Sequence, residues 1–147
     1  MLARLAAAFT TWCFLAATLQ AEIKPYPLFS DNAVFQRDKP LIVWGIADPG
    51  EDITPVLEGP DVPRFDKTIF ANSDGSWRIT LPPLKAGGPY TLILKSRNGQ
   101  VRINNFLVGE VWLCAGESNM EWPLATTQNG PKHVSEATNP TLRLLTI

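Results

Sequence analysis

Histidine, cysteine and net charge are all scarce in this sequence. It has 147 residues, one histidine (His133) and two cysteines (Cys13 and Cys114). A zinc site needs a cluster of such ligands, so no metal is expected. No phosphate-cradling glycine loop or dinucleotide fingerprint occurs, and no cofactor is expected. Lys and Arg number 13 against 14 Asp and Glu, a formal net charge of -1. That balance lacks the basic excess that nucleic acid binding requires. Charged residues make up 18% and hydrophobic residues 45%, a composition that packs a core and argues against disorder. No apolar run reaches the roughly 20 residues of a membrane-spanning helix.

The longest apolar run, Leu5 to Leu19, follows Arg4 and precedes Ala21, Glu22 and Lys24. This is the pattern of a secretory signal peptide over residues 1–21, cleaved after Ala21, which implies a secreted or periplasmic protein. Thr11 and Trp12 stand before Cys13 where a lipoprotein site needs small residues, so no stable membrane anchor is expected. Cys13 leaves with the signal, and Cys114 then has no intrachain disulfide partner. Lying in an apolar run, Cys114 is expected to be a small buried hydrophobe.

Proline and glycine are plentiful, at 13 and 10, as suits short strands joined by turns. Leu41 to Ile46 is apolar and β-branched, closed by Asp48-Pro49-Gly50. Phe65 to Ala71 reads as a further strand, followed by the turn Asn72-Ser73-Asp74-Gly75. Trp77, Ile79 and Leu81 alternate with polar residues, the period of a half-buried strand. Tyr90 to Lys95 and Val101 to Ile103 flank Asn98-Gly99, a hairpin signal. Residues 22–105 therefore predict an antiparallel β-sandwich. Trp44 and Trp77, within strands, are expected in its core.

From Phe106 the pattern changes. Phe106 to Ala115 is almost continuously apolar, as in a strand buried on both faces. Lys132 to Ala137 predicts a short helix and Thr141 to Ile147 a second strand. Residues 106–147 thus read as the first strand–crossover–strand unit of an α/β domain, incomplete at this length. The chemistry-bearing candidate is Gly116-Glu117-Ser118-Asn119-Met120, just beyond that first strand, where α/β sheets gather their sites. A serine nucleophile needs a base and a group to orient the base. By itself, a serine in such a turn is more often structural.

The run Gly109-Glu110-Val111-Trp112-Leu113-Cys114-Ala115-Gly116-Glu117-Ser118-Asn119-Met120-Glu121-Trp122-Pro123-Leu124 resembles the nucleophile segment of the sialate O-acetylesterase family, among the SGNH hydrolases. Leu28 to Asn32, Pro40 to Gly45, Trp77 to Tyr90 and Asn139 to Leu144 resemble that family's neighbouring segments. The resemblance implies an esterase of acetylated sugars with Ser118 as nucleophile and its amide as an oxyanion-hole donor. It also implies Gly116, Glu117, Asn119 and Trp122 as substrate-binding neighbours, and an SGNH-type, flavodoxin-like catalytic domain after the sandwich. Two departures stand out. Glu117 replaces the family's usual glutamine. The family's later Asp-x-x-His is unmatched, since Gly130 stands three residues before His133. The expected picture is an enzyme start whose catalytic half is missing. The alternatives are a non-catalytic sandwich that binds carbohydrate or docks on a partner domain, and an inactive gene fragment.

Overall fold

Period-two alternation sorts eight strands into two sheets that share one apolar interior. The computed structural model describes residues 22–146; the expected signal peptide lies outside them. The strands are β1 (Lys24–Pro25), β2 (Val34–Gln36), β3 (Leu41–Ile46), β4 (Asp52–Glu58), β5 (Ile69–Phe70), β6 (Ser76–Leu81), β7 (Gly87–Ser96) and β8 (Gly99–Gly109). One sheet has the order β1-β3-β6 and the other β2-β8-β7-β4-β5. The pairings are antiparallel except for β2 with β8, which is parallel. The fold is thus mainly β, as the sequence predicts.

The buried core draws on β2, β3, β4, β6, β7 and β8. Leu41 and Val43 of β3 lie with Trp77, Ile79 and Leu81 of β6, and Leu92, Leu94, Ile103 and Phe106 come from the other sheet. Gly45 shows why a small residue stands in β3. A Cβ there would strike the Lys24 carbonyl and sit 2.6 Å from the Trp77 ring. Pro55 is tolerated in β4 because β5 pairs only with Asp52 and Ile53, leaving the strand edge open beside the proline. At the turn before β6, Gly75 takes φ 80°. Asp74 Oδ1 accepts the Ser76 N–H at 2.8 Å, and the hydrogen bonds from Ser76 hold its carboxyl below the ordinary range.

Several elements differ from the sequence reading. The strand expected over Phe65 to Ala71 shrinks to β5. The β7–β8 hairpin closes on the pair Ser96–Gly99, so Arg97 and Asn98 form its loop instead of Asn98 and Gly99. Asn98 Nδ2 is committed to the buried Glu51 carboxylate at 2.9 and 3.1 Å. Trp77 is buried, as expected, but Trp44 is 39% exposed because it points from the outer face of β3.

The largest difference concerns Phe106 to Ala115. Residues 106–109 are the end of β8, where Leu107, Val108 and Gly109 pair with Val34, Phe35 and Gln36. Phe106 and Val108 belong to the sandwich core. The expected segment boundary between Asn105 and Phe106 therefore falls inside one strand. Beyond Glu110 the chain finds no strand to pair with among the described residues. Val111 to Ala115 is exposed, with Trp112 at 84%, and Cys114 is an exposed free thiol instead of a buried one. Residues 141–146 form no strand. The expected short helix is present as α1 (Gly130–Glu136).

Candidate active site

The serine segment begins where β8 ends. Arg37 N–H donates to the Gly109 carbonyl at 2.9 Å, the last backbone bond that ties this strand to the sandwich. Residues 110–117 then run without helix or strand to a 3-10 turn over Ser118–Glu121. Met120 N–H closes that turn on the Glu117 carbonyl at 2.9 Å. Glu117 is extended, at φ -100° and ψ -161°, and its carboxylate makes no capping bond. Gly116 leaves the space Met120 occupies, since a Cβ there would stand 2.7 Å from Met120 Cγ. A glycine two residues before the serine thus lets the turn fold back on itself.

Ser118, Glu117, Asn119 and Gly116 are all exposed, and Trp122 is 71% exposed. The structure brings these five residues together as one short turn, simply because they are near neighbours in sequence. It does not bring a base to them. Among the described residues, no side chain hydrogen-bonds to the Ser118 hydroxyl. His133 lies in α1, where its backbone N–H donates to the Asn129 carbonyl at 3.1 Å. Among the described residues there is also no group of three or more His, Cys, Asp or Glu placed to hold a metal. No helix of the described residues is long and apolar enough to cross a membrane.

Two features of this region escaped the sequence reading. The first is the Gln36 side chain, whose amide meets both Glu110 and Val111. The second is Arg143, whose Nη1 reaches Asn32 Oδ1 at 3.3 Å. Both link positions more than 70 residues apart, and no local pattern signals such pairs.

Comparisons with known proteins address the chain over most of its length. No family model matches it. Mouse sialate O-acetylesterase is 30% identical over 115 residues, covering 74% of this chain and 21% of the mouse protein. The human sialate O-acetylesterase is 31% identical over 126 residues, covering 80% of this chain and 24% of the human protein. A solved carbohydrate acetylesterase from Xanthomonas citri superposes with a TM-score of 0.73 at 37% identity, covering 80% of this chain and 26% of that one. The chain therefore spans about a fifth to a quarter of the length of these relatives. Over the matched stretch, the chain is similar in sequence to the sialate O-acetylesterases.

Proposed function

We propose that this chain is the part of a secreted carbohydrate esterase that presents the nucleophile, with acetyl esters on sugars as substrates. The observation that carries this is the likeness to acetylesterases in sequence and in structure. Ser118 Oγ attacks the acetyl carbonyl, and its backbone N–H donates to the oxyanion that forms. Gly116, Glu117, Asn119 and Trp122 line the approach to it. Trp122 offers an exposed indole face for a sugar ring. Glu117 must point away from the developing oxyanion, because a carboxylate beside it would oppose the charge. The reading also requires a base to take the serine proton, and among the described residues no side chain is hydrogen-bonded to the Ser118 hydroxyl.

The test is acetate release from an O-acetylated sugar by the protein expressed with the coding sequence that adjoins codon 147. Release that depends on Ser118 supports the proposal. Release by a Ser118→Ala variant at the full rate removes the assigned nucleophile, and no release from any acetylated sugar removes the proposal.

Export is part of the same reading. The mature chain is expected to begin at or near Glu22. Intact mass of the exported protein decides this, and residues 1–21 retained on an exported soluble chain would count against it.

A second reading, a sandwich that itself binds carbohydrate, is favoured by Tyr26 and Trp44. They are 55% and 39% exposed on the outer side of the three-stranded sheet, with ring centroids 5.9 Å apart. Under it, Trp44→Ala is expected to abolish retention on immobilised acetylated glycan, whereas Ser118→Ala leaves retention intact. The reverse pattern favours the esterase reading.

A further inference from the structure

We infer that the strip from Asn32 to Arg37 is a joint that clamps both ends of the serine-bearing segment onto the sandwich, with Gln36 and Asn32 as positioning residues. The inference does not depend on the esterase reading, because it concerns how residues 111–143 are held and not what they do.

At the exit, the Gln36 amide is divided between two partners. Its Oε1 accepts the Val111 N–H at 2.9 Å, and its Nε2 donates to Glu110 Oε2 at 3.0 Å. The Arg37 guanidinium lies 3.9 Å from the other Glu110 oxygen and 2.7 Å from Asp38. The first residue after the last sheet-paired stretch thus has its direction set by a side chain of β2. At the return, Arg143 Nη1 donates to Asn32 Oδ1 at 3.3 Å. Apart from Gly130, Arg143 is the only residue between 111 and 146 that is not exposed. Its side chain is the place where the far end of the segment meets the sandwich.

The socket for Arg143 is built without it. Asn32 is held at φ 66°, a left-handed conformation that asparagine tolerates better than most residues. Its N–H donates to the Asn104 carbonyl at 3.0 Å, and its Oδ1 also accepts Asn105 Nδ2 at 2.6 Å. Asp31 Oδ1 takes the Asn104 N–H at 2.6 Å. The turn is therefore pinned to β8 before the arginine arrives. Exit and return are fastened within one short strip of sequence, while every residue between them except Gly130 is exposed. Fastening each end raises the effective concentration of the other at its own clamp. The two clamps should accordingly support one another.

The test uses the whole chain and two readouts: exchange of the Val111 amide, and the rate of tryptic cleavage after Arg143. Asn32→Gly keeps the left-handed backbone and removes the acceptor. It is expected to speed cleavage after Arg143 about two- to tenfold, the worth of roughly one hydrogen bond. Asn32→Asp keeps both the acceptor and the backbone and is expected to preserve the slow rate. Gln36→Ala is expected to speed Val111 exchange by a similar factor. The diagnostic result is the cross-effect. Asn32→Gly should also speed Val111 exchange, and Gln36→Ala should also speed cleavage after Arg143, with the melting temperature of the sandwich unchanged. If each variant loosens only its own end, if Asn32→Gly and Asn32→Asp behave alike, or if the sandwich melts earlier in step with cleavage, the joint is not a positioning device.

Discussion

Acetyl-ester hydrolysis, the activity proposed above, is expected to fall at least about 10⁴-fold when Ser118 becomes alanine, in protein expressed with the coding sequence adjoining codon 147. The size follows from what is removed and what is kept. The hydroxyl is lost, and with it the covalent route. The backbone N–H at position 118 survives the substitution, so one donor to the oxyanion remains. The loss should therefore appear in kcat with KM little changed, because the hydroxyl interacts with the carbonyl mainly in the transition state. Steady-state acetate release at several sugar concentrations separates the two constants. A rise in KM at constant kcat would mean that Ser118 binds substrate without attacking it. The 147-residue chain alone is expected to show no turnover above its own Ser118→Ala variant. Among the described residues no side chain is bonded to the Ser118 hydroxyl to take its proton, and an unassisted serine is a weak nucleophile.

The sandwich was legible in the sequence because strand alternation and turn chemistry are local signals. Trp77, Ile79 and Leu81 alternate with polar residues and are buried. Turn residues Asn72 to Gly75 form the expected tight turn. The end of β8 was missed because Gly109 and Glu110, where the strand stops, read as a brief interruption of an otherwise apolar run. Leu107 to Gly109 are strand because β2 lies alongside, and Val111 to Ala115 are not because none of the described residues pairs with them. Trp44 misled for a related reason. Period two says which residues share a face, but not which face is inside, and Ile42, Trp44 and Ile46 make the outer face of β3 apolar too. The candidate site was legible only as a short motif around Ser118. Its ties to the sandwich, Gln36 to Val111 and Asn32 to Arg143, join remote positions through single side chains, which composition and spacing do not record.

Phe106→Ala is expected to cost the sandwich about 3–5 kcal/mol, the range for truncating a fully buried phenylalanine. Phe106 is 0% exposed. Its ring lies 5.0 Å from that of Phe35, nearly edge-on, and 5.4 Å from that of Tyr90. It thus joins β8 to both its neighbours, β2 and β7, from the core side. The loss should move the denaturant midpoint with little change in slope, as for a change in stability within the same folded state. Trp122→Ala, at an exposed position, is expected to stay within about 0.5 kcal/mol. The same burial decides where the chain can be shortened. A cut after Glu110 keeps Phe106, Val108 and the β2–β8 pairing, and should leave a cooperatively folding sandwich. It also removes the exposed apolar side chains of Trp112, Leu113, Trp122 and Leu144, so solubility should rise. A cut after Asn105 removes Phe106 and Val108 together and strips β2 of its partner. That version is expected to lose more stability than Phe106→Ala alone. Equal midpoints for the two shortened chains would show that the last residues of β8 carry no weight in the core, and would return the end of the sandwich to Asn105.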